Sequence, residues 1–303
     1  MKKIFILTIL IFFANDTFAQ ANLLNAKNPL EIGDSSASSK AIGEFVDYEY
    51  VDDKNILWSK VVYEFIDLNE RINFPLLFPV NDTKYDDTRK SLWRIIRENI
   101  ENGKISEVYD SNNDNFTEAS RIIGKDSTDF DANIYKNYNI TDIYKSEYVR
   151  ESFAPREVVS SAEIYGYVIK GVWYFDKIHA ELRYRLLAIQ PYGKDLKTSV
   201  EGASDETGYF WIWYPSIREI LDDHLVFNDK NNNNRISFDE LLINRRFSSY
   251  IYKYDNVYGD REIREYIKKR DNESEAQWQT RIIMESERIK KEILDFEIDM
   301  WGY

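Results

Sequence analysis

Ala180-Glu181-Leu182-Arg183-Tyr184-Arg185-Leu186-Leu187-Ala188 decides the fold class. Ala180, Leu182, Tyr184, Leu186 and Ala188 alternate with Glu181, Arg183 and Arg185. Successive side chains of a strand point to opposite faces, so this period of two predicts a strand with one wet face. The segments around it extend the β region over 158–214. Glu163 to Lys170 and Val172 to Phe175 precede it, and Gly171 between them is expected to make a turn. Tyr209 to Tyr214 follows as an aromatic strand that Pro215 stops. The short connections predict an antiparallel meander.

Helical spacing flanks this region on both sides. Trp58, Val61, Val62, Phe65, Ile66, Leu68 and Ile72 recur in steps of three and four, which predicts a helix over 56–73. Asn73-Phe74-Pro75 ends it, because a residue before proline is pushed out of the α region. A second helix is expected over 89–102, with Thr88 as N-cap, Leu92, Ile95, Ile96, Asn99 and Ile100 on its buried face, and Gly103 as the stop. Ser216 to Val226 and Phe238 to Tyr250 read as a helix–loop–helix pair. Residues 274–301 form the longest periodic run, with Trp278, Ile282, Ile289, Ile293, Phe296 and Met300 on one stripe. Packing of that stripe on the chain's own sheet is expected, and a coiled coil is the alternative. The fold class is therefore α+β, with helices flanking a central antiparallel sheet and a long C-terminal helix.

The remaining segments lack a core pattern. Residues 1–19 carry Lys2 and Lys3, an apolar stretch from Ile4 to Ala14, and Thr17-Phe18-Ala19 before Gln20, which is the pattern of a cleaved signal peptide. The apolar stretch is shorter than the roughly 20 residues that span a bilayer, so an uncleaved membrane anchor is the lesser alternative. Residues 20–50 read as a flexible arm, with Gly33-Asp34-Ser35-Ser36-Ala37-Ser38-Ser39 at its centre. Residues 51–303 are expected to form one domain, with a long polar insertion around 110–157 that opens on the turn cluster Ser111-Asn112-Asn113-Asp114-Asn115.

Composition excludes several classes of function. The chain has no cysteine, which removes disulfides, thiolate metal sites and a lipidated N-terminal cysteine. Its net charge of −13 repels nucleic acid and anionic lipid. Loss of Lys2, Lys3 and Asp16 with the leader leaves it still more acidic. Any membrane association must therefore go through a partner. The 22 Tyr and 7 Trp are too many for a disordered chain and suit protein interfaces, where an apolar body with a polar tip is favoured.

Chemistry-bearing motifs are few. Residues 229–240 overlay a twelve-residue calcium loop, with Asp229, Asn231 and Asn233 at positions one, three and five. The carbonyl of Arg235 would be the seventh, Ser237 the ninth and Glu240 the bidentate twelfth. Asn234 stands where such loops want glycine, and only Asp229 and Glu240 are charged, so weak binding or a plain solvated turn is expected. His179 and His224 are the only histidines, and no Gly-x-Ser-x-Gly elbow supplies a nucleophile for them. Both are expected to be structural or surface residues. The 53 carboxylates and many aromatics leave glycan hydrolysis by a carboxylate pair as the enzymatic alternative, with no pair singled out. No catalytic residue and no cofactor is expected, calcium at 229–240 being the exception held open.

Several segments in order resemble the gliding-motility protein N family (GldN, also PorN) of the type IX secretion system. They are Trp58-Ser59-Lys60 with Ile66 to Leu76, Ser91-Leu92-Trp93 with Glu101 to Ile105, and Trp173 to Lys177 with Arg183 to Pro191. Phe210 to Pro215, Val226-Phe227-Asn228, Ser237 to Leu241, Arg246 to Ile251, Asn256-Val257-Tyr258, Glu287 to Lys290 and Phe296 to Tyr303 follow. The stretch 110–157 departs from the pattern. The resemblance implies a non-enzymatic scaffold in the periplasm. It implies a ring of many copies with an outer-membrane lipoprotein (GldK or PorK). It also implies contact with the shaft of the inner-membrane motor (GldM or PorM).

Overall fold

A computed structural model describes residues 47–81, 89–121, 159–194, 206–226 and 236–301. Its centre is a seven-stranded antiparallel sheet. The strands are β1 (Ile56–Asp67), β2 (Tyr109–Asp110), β3 (Ile164–Asp176), β4 (Glu181–Lys194), β5 (Glu206–Gly208), β6 (Phe210–Trp213) and β7 (Tyr250–Tyr254). They lie in the order β2-β6-β4-β3-β1-β7, with β5 paired to β4 off this path. The helices are α1 (Phe74–Leu77), α2 (Leu92–Glu101), α3 (Tyr214–Asp222), α4 (Phe238–Ile243), α5 (Ile263–Tyr266) and α6 (Glu275–Trp301). The α+β class with a long C-terminal helix is borne out.

β4 is the strand expected from its alternation, and it pairs with β3 from Glu181 opposite Asp176 to Gly193 opposite Ile164. Gly171 makes no turn. β3 runs straight through it, and the hairpin turn comes at 177–180, where Ala180 takes a φ of 54°. Gly171 is instead a close-approach site. A Cβ there would sit 2.1 Å from the Tyr184 hydroxyl, whose ring lies across the strand.

Residues 56–67 are a strand and not a helix. β1 sits between β3 and β7, and both of its faces carry core residues. Val62 and Ile66 point to one side and are fully buried, while Tyr63 points to the other and is 6% exposed. Burial on both faces erases the period of two and leaves apolar steps that mimic a helix. The β-branched and aromatic content of Ile56 to Ile66 was the better signal. Only Phe74–Leu77 of this region is α-helical.

α2 starts later than expected. Ser91 caps it by accepting a hydrogen bond from the Arg94 N–H at 3.1 Å, and Thr88 lies outside the described residues. Gly103 follows the end of α2 with a φ of 70°, as a helix stop requires. The helix predicted over 238–250 ends at Ile243, and Tyr250 begins β7. Arg245 breaks it by taking a φ of 51°. Its guanidinium grips the buried Glu64 of β1 through bonds of 2.9 and 2.6 Å and lies 4.2 Å from the centre of the Tyr184 ring.

One face of the sheet is covered by two groups of helices. At one end Leu92, Trp93, Ile96, Ile217, Leu221, Phe238 and Leu242 from α2, α3 and α4 pack on Ile66, Ile169, Leu186 and Ile212. At the other end Ile289 and Ile293 of α6 pack on Val62, Ile251 and Ile263. Trp58 stacks on Phe296 with ring centroids 4.7 Å apart. The inner stripe of α6 thus packs on the chain's own sheet. The opposite face of the sheet is aromatic, with Tyr63, Tyr109, Phe116, Trp211 and Trp213 in its core.

Candidate interaction surfaces

The described part of the N-terminal arm is not loose. Tyr48 lies between two guanidiniums, 4.1 Å from Arg218 and 4.8 Å from Arg185, and its hydroxyl donates to the Leu186 carbonyl at 3.1 Å. Arg218 in turn makes a two-pronged contact with Asp239 at 3.1 and 2.9 Å, and Tyr214 donates to the same carboxylate at 2.8 Å. Burial opposes the charge on Arg218, but the hydrogen bond and charge of Asp239 prevail and hold its pKa above the usual range. Burial pushes the Tyr48 hydroxyl well up, so it stays a donor. Arg185 donates to the Glu49 carbonyl and Arg183 to the Glu49 carboxylate, each at 2.6 Å.

This arrangement corrects the wet face read for β4. Arg185 is only 3% exposed, because residues 47–50 lie against it. A cation every second residue looks the same in sequence whether water or an aromatic ring covers it. Residues 20–46 of the arm lie outside the described residues.

The second surface is the aromatic face of the sheet. Phe116 inserts there, with centroids 5.3 Å from Tyr109 and 5.1 Å from Trp213. Asp114 beside it accepts from Tyr63, receives Lys253 at 3.3 Å and lies 3.9 Å from Lys170. The start of the stretch 110–157 is therefore clamped on the sheet and is not an open loop, while 122–157 lie outside the described residues. Further along the face, Phe65 packs edge-on against Tyr192 at 5.4 Å and tilted on Tyr250 at 5.6 Å. These rings and Tyr252 are only partly buried.

A third apolar surface comes from the connector after β1. Ile72, Phe74 and Phe78 are 56%, 37% and 47% exposed, and the two phenylalanine rings meet edge to face at 5.3 Å.

Of the residues singled out for chemistry, Ser237, Glu240, His179 and His224 are described. Asp229, Asn231, Asn233 and Arg235 lie outside the described residues. Ser237 caps α4 by accepting from the Glu240 N–H at 3.0 Å, and the Glu240 carboxylate stands 3.6 Å from Arg246. Leu225 and Ser237 form a β-bridge that closes the base of the loop, with Val226 N–H on the Ile236 carbonyl at 2.8 Å. His179 lies in the β3–β4 turn with Nδ1 2.6 Å from Asp176. His224 follows the end of α3 with Nδ1 3.0 Å from the Ile220 carbonyl, and burial lowers its pKa.

The family model described as "Gliding motility associated protein GldN" matches residues 51–302. No curated protein matches the chain. Among the described residues no helix is long and apolar enough to cross a membrane. The family match takes in every strand and helix of the sheet assembly, from β1 to α6, and the chain therefore belongs to the GldN family, a component of the gliding-motility and type IX secretion machinery.

Proposed function

We propose that this chain is a non-enzymatic structural subunit of that machinery. In this reading residues 1–19 direct export to the periplasm and are removed. Residues 51–303 form one domain that builds a ring with an outer-membrane lipoprotein on the inner face of the outer membrane. The same domain meets the periplasmic shaft of the inner-membrane motor. The family match over 51–302 carries the reading. The partly exposed rings of Phe65, Tyr192, Tyr250 and Tyr252 and the exposed Phe74 and Phe78 support it, because Tyr and Phe at a surface favour protein partners. An acidic, cysteine-free subunit has no lipid attachment through a thiol and must be held by docking.

The arm has a specific part in this reading. Its end at 47–50 is pinned between β4 and α3, so residues 20–46 start from a fixed point and wrap the lipoprotein. The test is to tag the C-terminus, extract membranes gently, size the particle and identify what travels with it. A large particle with a lipoprotein is expected, and deletion of 20–45 should reduce lipoprotein recovery. A lone monomer in the periplasmic fraction would overturn the scaffold reading.

Calcium at 229–240 is the second reading. The order of oxygen-bearing residues over 229–240 supports it, and the Leu225–Ser237 bridge, from before the loop to its ninth position, sets the loop between α3 and α4. Calcium should then raise the melting temperature and chelator should lower it. Glu240→Gln should abolish both effects. Melting that ignores calcium in the unaltered protein removes this reading.

A further inference from the structure

Helix α6 carries two apolar stripes, and among the described residues only one packs against the rest of the chain. Ile289 and Ile293 face the sheet and are 0% and 2% exposed. On the far side Met284, Leu294 and Ile298 are 65%, 51% and 66% exposed, with Ile283 beside them at 52%. Single exposed apolar residues are ordinary, but several on one helix stripe form a contact surface. Met284, Glu287, Lys291, Leu294 and Ile298 follow one another in steps of three, four, three and four. That spacing is a heptad seam, with a charged centre between apolar ends.

We propose that this outer seam docks on the same seam of a second copy, with the two α6 helices antiparallel about a two-fold axis. In an antiparallel pair the two kinds of seam position face each other. Met284 then meets Leu294 of the other copy, Glu287 meets Lys291, and Ile298 meets Thr280. Symmetry makes each contact twice.

The charged centre selects this occupant. Against an apolar helix or a lipid surface Glu287 and Lys291 would lose water without compensation. In a parallel pair Glu287 would face Glu287 and Lys291 would face Lys291. The reversed copy of the same helix supplies the opposite charge at both positions. The present partner of Glu287 is Lys290 at 3.0 Å, on a carboxylate side chain 62% exposed, and such a surface pair exchanges readily. A contact of this symmetry joins copies in pairs and cannot by itself close a ring, so it is separate from ring contacts. It rests on α6 alone and stands whether or not the scaffold reading does.

The test uses the absence of native cysteine. The purified protein is sedimented over a concentration series, since one helix pair is small beside the roughly 1,200–2,000 Å² of stable interfaces. A monomer–dimer equilibrium is expected, weakened about tenfold or more by Leu294→Glu or Ile298→Glu. Glu287→Lys should weaken it, and Glu287→Lys with Lys291→Glu should restore it. A mixture of the Met284→Cys and Leu294→Cys proteins should give a disulfide-linked dimer under mild oxidation, faster than either alone. Circular dichroism checks that each variant keeps its fold. A protein monomeric throughout overturns the proposal, as does a dimer indifferent to these changes, or one in which Met284→Cys links fastest to itself. If neither protein dimerises but Leu294→Glu loses a co-purifying membrane protein, the seam belongs to that partner and the proposal falls.

Discussion

Arg218 and Asp239 meet through two hydrogen bonds, Nε to Oδ1 at 3.1 Å and Nη2 to Oδ2 at 2.9 Å, on side chains 7% and 6% exposed. The pair joins α3 to α4, and the ring of Tyr48 lies 4.1 Å from the guanidinium. One buried charge therefore holds two helices and the start of the arm. Asp239→Ala should cost about 3–5 kcal/mol in urea unfolding, because it strands a buried cation. Tyr48→Ala leaves the pair intact and should cost about 1–2 kcal/mol. It should also speed proteolysis just before residue 51, which limited digestion would read. An unfolding midpoint unchanged by Asp239→Ala would remove the pair from the account of stability.

Gly171 and Tyr184 make a second tight relationship. The Tyr184 ring lies where a Cβ on Gly171 would stand, and it also carries the Arg245 guanidinium on its way to Glu64. Gly171→Ala must displace a buried ring, at a cost of about 1–3 kcal/mol. Combining it with Tyr184→Leu should give less than the sum of the two costs, since the second change removes the clash. Full additivity in a double-mutant cycle would show that the ring does not constrain residue 171.

What was legible in the sequence follows from which faces are solvated. α6 keeps charges on most of its circumference, and its inner stripe of Ile282, Ile289, Ile293 and Phe296 was readable. β4 has cations on one face, so its alternation was visible even though Arg185 is covered. β1 is sandwiched between neighbours with core on both sides, and there the periodic signal vanished and pointed to the wrong element. The break at Arg245 depends on a partner in β1 far away in sequence, which no local pattern contains. The same holds for the arm: Tyr48, Arg185, Arg218 and Asp239 come from four separate segments, and no spacing links them. The family resemblance was legible because it rests on short aromatic motifs kept in order, from Trp58-Ser59-Lys60 to Phe210-Trp211-Ile212-Trp213, and the match over 51–302 bears it out.

Among the described residues β7 is an edge strand of the sheet, and α6 protects it. The Ile251 N–H donates to Ser286 Oγ at 2.7 Å, and Lys290 Nζ donates to the Ser249 carbonyl at 2.7 Å. Ser286 is fully buried, so its hydroxyl serves the edge and not solvent. Ser286→Ala leaves a buried N–H without an acceptor, for about 1–3 kcal/mol. Hydrogen exchange at Ile251 should accelerate more than at residues of β3. Equal acceleration across the sheet would mean a global loss of stability and not a local uncapping. An uncapped edge also invites strand pairing between molecules, so the variant should aggregate sooner on heating.

The clamp at Asp114 gives the protein an acid limit. Burial alone would raise the Asp114 pKa, but the hydrogen bond from Tyr63 and the charges of Lys170 and Lys253 outweigh it and hold the carboxyl below its ordinary value. A carboxylate whose pKa is lowered on folding contributes stability that is complete above its unfolded pKa of about 3.9 and is lost as pH falls through the folded value. Lys170 is the weaker side of the clamp, because burial lowers its pKa despite Asp114. Its charged form is therefore disfavoured by folding, and its titration makes the fold more stable as pH rises between the lowered folded value and the unfolded one, at the alkaline end. Asp114→Asn removes the charge at every pH. It should lower stability at neutral pH and flatten the fall in stability below about pH 4. Urea midpoints measured from neutral to acid pH for both proteins decide it. Parallel profiles, with the same acid slope in the variant, would show that other carboxylates set the limit. A flattened slope together with increased exposure of tryptophan to a quencher would show that the clamp also keeps Phe116 seated over Trp211 and Trp213.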